Sequence, residues 1–195
     1  MTTIDMLIDR IRELQDQLEE DLTEKRETLR YRIQAGRIEF EDEMRRRHRE
    51  LRESWRSYLS RARPLVILTA PIIYSVVAPL AILDLGVTLY QRICFPVYGI
   101  PIVRRREYVV IDRHMLGYLN WLQKVNCVYC GYGNGVLAYA REIAARTEQY
   151  WCPIKHASRV QDPHMRYPNF SDFGDGEGFQ GNWRKLREEL NEEKG

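Results

Sequence analysis

Apolar side chains recur along the first sixty residues at Ile4, Leu7, Ile8, Ile11, Leu14, Leu18, Leu22, Leu29, Ile33, Phe40, Met44, Leu51, Trp55 and Leu59. Most are three, four or seven apart, which is one stripe of an α-helix. The stretch contains no proline and a single glycine, Gly36, so nothing in its covalent chemistry interrupts a helix. Ile4, Ile11 and Leu18 fall in one heptad position and Leu7 and Leu14 in the other, while Lys25 and Gly36 interrupt the seam. This predicts a coiled coil with a stutter. A helix over the whole of 4–59 spans roughly 80–90 Å at the standard rise, too long for a globular core to cover, so it requires a partner. Self-association, docking on another protein, and lying on the bilayer with the arginines toward headgroups are the three routes. Coiled-coil association comes first, because the seam is narrow and rich in leucine and isoleucine.

The pattern then changes abruptly. Pro64 to Leu83 is PLVILTAPIIYSVVAPLAIL, twenty residues without a charge, and the apolar character continues past Asp84 to Tyr90. Twenty residues of helix match a hydrocarbon core of about 30 Å. A second apolar stretch, Ile93 to Val103, follows. Arginines flank both ends: Arg61 and Arg63 before, Arg104, Arg105 and Arg106 after. Because both flanks carry the cytoplasmic mark, a single pass has no preferred direction, and a re-entrant hairpin turning at Asp84-Leu85-Gly86 satisfies both flanks at once. Pro71, Pro79, Pro96 and Pro101 suit broken helices. Asp84 is expected at an interfacial turn, paired with Arg92.

Charge sharpens the division. Charged residues are 30% of the chain and the net charge is +2, too small an excess for a protein that neutralises a phosphate backbone, so nucleic acid is not expected as a partner. Locally, eight arginines against Glu50 and Glu53 lie between Arg45 and Arg63. A basic block at the edge of an apolar run marks the cytoplasmic side and contacts anionic lipid. The first thirty residues have no apolar core of a secretory signal. Three segments result: a long amphipathic helix over 1–63, a membrane-associated segment over 64–103 as hairpin or single span, and a helical domain over 104–195.

The candidate chemistry lies in the third segment. Four cysteines, Cys94, Cys127, Cys130 and Cys152, are too few and too unevenly placed for a secreted disulfide framework. Asn126-Cys127-Val128-Tyr129-Cys130-Gly131-Tyr132-Gly133-Asn134-Gly135 places a C-x-x-C before three glycines. Two thiolates so spaced converge on one ion, and glycine's freedom at positive φ lets backbone N–H groups face the sulfurs. These ten residues resemble the knuckle of zinc ribbons and rubredoxins. Cys152-Pro153-Ile154-Lys155-His156 supplies a second half, and Val136 to Trp151 reads as the helix between the halves. Cys127, Cys130, Cys152 and His156 then form a four-ligand set for zinc, with an iron–sulfur cluster as the alternative.

Other residues in this segment carry weaker signals. Asp112-Arg113-His114, Glu142, Arg146 and Glu148 lie near in sequence, with Glu142 and Arg146 spaced for an ion pair on one helix. Asp172 to Gly178 has the look of a calcium loop but lacks its alternating oxygen ligands and closing glutamate, so it reads as a turn. Trp183 to Glu193 reads as a short amphipathic helix that packs back on the domain. The expected fold is mainly α. The expected function is a membrane-attached scaffold or accessory subunit with a structural metal and an interaction arm, its N-terminal helix and Cys/His domain both cytoplasmic. A membrane-bound redox component with an iron–sulfur centre is the alternative, and a metal-dependent hydrolase the weaker one, since four protein ligands leave no position for water.

Overall fold

The computed structural model describes residues 3–28, 31–34 and 37–193. It is mainly helical. The chain divides into two compact units, Met1–Pro64 with Asp112–Val128, and Leu65–Ile111 with Tyr129–Gly195.

In the first unit, helix α1 (Thr3–Thr28) carries Leu7, Ile11, Leu14, Leu18 and Leu22 exposed along one stripe. The helix does not continue to residue 59 as its lack of breakers predicts. Strands β1 (Tyr31–Gln34) and β2 (Arg37–Phe40) follow and pair antiparallel, with Tyr31 opposite Phe40 and Ile33 opposite Ile38. The reason lies in a local change of period: Tyr31, Ile33, Ile38 and Phe40 alternate with polar residues, and β-branched and aromatic residues favour a pleated surface. Leu29 and Gly36, assigned to the helical stripe and to its interruption, lie outside the described residues. Two short helices follow, α2 (Asp42–Glu50) and α3 (Trp55–Ser60). Helix α2 has Asp42 and Glu43 in its first turn and Arg47, His48 and Arg49 in its last, complementing the helix dipole at both ends. The Ser54 hydroxyl accepts the Arg56 N–H and caps α3. Ring contacts tie these elements to the later segment of the same unit: His48 lies edge-on to Phe40 and Tyr118, and Trp55 to Trp121.

In the second unit, α4 (Pro64–Ser75) and α5 (Val77–Tyr98) form one nearly continuous apolar rod interrupted at Val76. Pro79 has no N–H to give the Ser75 carbonyl and its ring crowds that turn, which places the interruption. The rod does not turn back at Asp84-Leu85-Gly86. Those residues are inside α5, and the chain turns instead at Gly99, whose φ of 74° closes the helix in the left-handed conformation. The short helix α6 (Arg105–Tyr108) lies on the returning chain.

Helix α7 (Trp121–Trp151) is the longest element. Its start is a reciprocal cap: the Asn120 carboxamide accepts the Gln123 N–H at 3.0 Å, and the Gln123 carboxamide accepts the Asn120 N–H at 2.9 Å. The predicted helix Val136–Trp151 is its second half. Helix α8 (Gly176–Glu192) begins where the supposed calcium loop does turn, capped by Asp175 on the Gly178 N–H, and buries Leu186 and Leu190. The core of this unit is Phe95, Ile100, Val103, Tyr139, Ile143 and Leu190. Each such fully buried side chain contributes roughly 1.5–3 kcal/mol.

Candidate functional site

The four proposed metal ligands are not brought together. Cys127 and Cys130 lie in the first third of α7, and Cys152 follows its last residue. Twenty-two residues of rise separate Cys130 from Cys152, roughly 33 Å along the axis. One ion in one chain cannot reach both. The expected knuckle is α-helix: none of its three glycines has positive φ, and Gly133 and Gly135 serve close packing instead. A Cβ on Gly135 would lie 2.7 Å from the Tyr108 carbonyl oxygen and 2.8 Å from the Val109 Cα, and one on Gly133 would lie 3.3 Å from Leu80. His156 stacks on Tyr167, whose hydroxyl accepts the His156 backbone N–H at 2.7 Å. Among the described residues, no three His, Cys, Asp or Glu side chains are grouped to hold a metal.

What the second unit does assemble is a polar latch on α5. Asp84 is almost fully buried and receives two hydrogen-bonding nitrogens from Arg105, Nε at 2.9 Å to one carboxylate oxygen and Nη2 at 2.7 Å to the other, with the Tyr132 hydroxyl donating at 3.0 Å. Arg105 therefore takes the place expected of Arg92. Two helical turns further along the same face, Gln91 is buried. Its carboxamide oxygen accepts the Val103 N–H at 2.9 Å and its nitrogen donates to the Val103 carbonyl at 3.2 Å, and it also bonds the Tyr139 hydroxyl. The side chain thus imitates a neighbouring β-strand. Together, Asp84 and Gln91 hold the returning chain at Val103 and Arg105, and Gly135 leaves room for its backbone at Tyr108 and Val109.

A second cluster joins α7 to the chain's C-terminal part. The expected Glu142–Arg146 pair is present at 2.8 Å, and Arg146 also donates to the Pro101 carbonyl at 2.9 Å. Arg166 binds Glu142 at 3.0 Å, Glu193 at 2.8 Å and the Gln149 carboxamide oxygen at 2.7 Å. Burial pushes the Glu193 carboxyl up, but the Arg166 and Arg146 charges outweigh it and hold the carboxyl below its ordinary value. Glu148 pairs with His164 at 3.0 Å. Sequence reasoning misses Arg166 and takes His164 only as a lone extra ligand, because their partners lie 16 to 27 residues away. A groove of about 390 Å³ beside this cluster is lined by Arg104, Glu107, Tyr108, Arg146 and Glu193, with Pro101, Ile102 and Val103. Its charged groups are engaged with one another, Arg104 with Glu107 at 3.6 Å and Arg146 with Glu193 at 3.8 Å.

The third feature is apolar. The α4–α5 rod is long and apolar enough to cross a membrane, and its most apolar window is not buried at all. From Leu65 to Ile82 nearly every side chain is exposed, on all sides of the helix. From Asp84 onward only one face is. Comparison with protein families, curated proteins and solved structures returns no match.

Proposed function

We propose that the protein is a membrane-attached scaffold or accessory subunit, anchored through the charge-free part of the α4–α5 rod and self-associating through the exposed stripe of α1. The observation that carries this reading is all-round exposure. Nine large apolar side chains between Leu65 and Ile82 are 42% exposed or more. Full burial of each is worth roughly 1.5–3 kcal/mol, so even half of it over the segment is on the order of 10 kcal/mol, comparable with the whole stability of a domain. A helix apolar on every side belongs in a hydrocarbon environment.

The polar groups of the rod support the same reading, since backbone and hydroxyls in lipid must be satisfied internally. Thr69 donates to the Leu65 carbonyl at 3.0 Å and Ser75 to the Ile72 carbonyl at 2.7 Å. The arginine block Arg45 to Arg63 supports a cytoplasmic, anionic-lipid-facing position for the residues that precede the anchor. The stripe of α1 supports pairing with a second copy.

The test is fractionation of the full chain expressed in cells, with alkaline carbonate washing and flotation on a density gradient. The protein should remain with the lipid fraction after carbonate. Release into the supernatant as a dispersed soluble species would overturn the anchor.

A further inference from the structure

Helix α7 runs beside the anchor in the same direction. The Tyr129 hydroxyl donates to the Ile73 carbonyl at 2.7 Å, Tyr74 and Tyr129 meet edge to face at 5.6 Å, Gly133 sits under Leu80, and Tyr132 reaches Asp84. Further along, Tyr139 meets Thr88 and Thr147 meets Tyr90. The partners ascend together, so equal stretches of the two helices lie at equal depth.

Three observations concern this part of α7. First, residues 125–140 carry no charge, against one charge-free run of twenty residues at 64–83. Second, the side of α7 turned away from the protein is formed by Cys130, Asn134, Leu137 and Ala138, all exposed and all uncharged. The first charge on that side is Arg141, paired with Asp162. Arg141 lies eight residues past Gly133, roughly 12 Å of rise. The same rise beyond Leu80 reaches Thr88, past Asp84, which is buried, and the first exposed charge on the anchor helix is Arg92, roughly 6 Å further on. The charge-free exposed faces of the two helices therefore end within about one helical turn of each other. Third, polar side chains here bond to nearby backbone carbonyls within the protein. Asn134 donates to the Cys130 carbonyl at 2.9 Å, and Tyr129 serves Ile73, the carbonyl on the N-terminal side of the Val76 interruption. In water these bonds would be dispensable; in hydrocarbon they are required.

We propose that Tyr129–Ala140 of α7 is a second membrane-embedded element, its Cys130–Leu137 face in contact with lipid acyl chains. The proposal rests on the anchor reading, and the experiment separates the two. Full-length protein is reconstituted into lipid vesicles opened to reagent on both sides and treated with a membrane-impermeant maleimide, and labelled thiols are assigned by peptide mass. Cys152, exposed just beyond the end of α7, is the water-accessible reference in the same molecule. Cys130 is exposed on the protein itself, so the fold does not shield it. Cys130 should label at least tenfold more slowly than Cys152 in vesicles and should label readily after unfolding in detergent. A bimane fluorophore attached at Cys130, with the other three cysteines replaced by alanine, should be quenched by doxyl-labelled lipid.

Labelling of Cys130 at the rate of Cys152 overturns the proposal, and so does slow labelling without quenching by doxyl lipid, which would mean that another protein surface covers it. An Ile72→Cys variant reads the anchor separately. Rapid labelling there sinks the anchor itself, whereas protection at Ile72→Cys with free labelling at Cys130 refutes only the role of α7.

Discussion

Replacing Gln91 by leucine tests whether the latch, rather than general apolar packing, holds the returning chain. Leucine is close to glutamine in volume and suits a helix, so the substitution leaves shape and propensity nearly unchanged. It removes both hydrogen bonds to Val103 and the one to Tyr139. Gln91 and Val103 are both almost wholly buried, at 2% and 3% exposure, so water cannot replace the lost partners. Stranding a buried donor or acceptor costs about 1–3 kcal/mol, and with two backbone groups affected and some relaxation the expected loss is about 2–4 kcal/mol. That loss falls first on the local release of residues 101–108. Three arginines, Arg104, Arg105 and Arg106, make this segment a natural trypsin target once released. If cleavage follows the equilibrium opening of the segment, 2 kcal/mol raises its rate roughly 30-fold and 4 kcal/mol nearly a thousandfold. The assay is limited trypsin digestion of the full chain in detergent, with cleavage sites assigned by mass, against an Arg92→Gln control that changes the exposed neighbour. Cleavage within twofold of the unsubstituted protein would refute the latch.

Three further outcomes follow from the same geometry. Gly135→Ala places a methyl group inside van der Waals contact with the backbone at Tyr108 and Val109 and should destabilise the second unit by about 1–3 kcal/mol, while Gly181→Ala in α8, with nothing within 4 Å, should stabilise by about 0.5–1 kcal/mol. Thermal unfolding of the two variants should therefore shift in opposite directions, and shifts of the same sign would contradict the packing role. Since the Glu193 carboxyl is held below its ordinary value of about 4.5, its contribution is fully present above about that pH and is lost as pH falls through the lower folded value. Amide hydrogen-exchange protection in α8, taken relative to the intrinsic rate at each pH, should fall over that acid window, and Glu193→Gln should flatten the dependence; an unchanged profile in the variant assigns the effect elsewhere. Finally, Leu14→Asp with Leu18→Asp on the stripe of α1 should abolish chemical crosslinking between copies. Crosslinking that survives the double substitution would mean that α1 does not mediate pairing.

The sequence made legible those elements whose signal is local and periodic. The stripe of α1 and the charge-free run at 64–83 repeat over several turns, and Glu142–Arg146 needs only four residues. The hairpin at Tyr31–Phe40 was hidden because its apolar positions also continue a helical stripe, and the competing period of two extends over only four residues in each strand. Backbone freedom is the sequence reading of the glycines at 131, 133 and 135, but in the fold none has positive φ, and at 133 and 135 the value is the missing Cβ. A signal for the correct reading was present: Cys127, Gly131 and Gly135 are four apart, a helical spacing of small residues, and Asn120 with Gln123 is a capping pair that starts a helix before the cysteines. The partners of Gln91 and Asp84 on the returning chain come from 12 and 21 residues away, across a turn that only tertiary packing defines, and Tyr139 and Tyr132 come from 48.

The polar residues of α5 explain where the rod changes character. An apolar helix exposed over most of its surface has no strongly preferred face, and along Leu65–Ile82 only the contacts of Ile73, Tyr74 and Leu80 with α7 select one. Asp84 is the first side chain that requires a partner, and with Gln91 seven residues later it defines a single stripe that continues through Phe95. A buried carboxylate without its cation is strongly destabilising, so Arg105 and the chain that carries it are drawn to that stripe. Once they are there, Ile100 and Val103 have an apolar surface to cover and the core can close against α7. The same two polar residues that are costly on an apolar helix therefore mark its end as an all-round exposed rod and its start as a wall of the second unit. For that reason Asp84→Leu, though more apolar, is expected to weaken the unit by leaving Arg105 without its carboxylate.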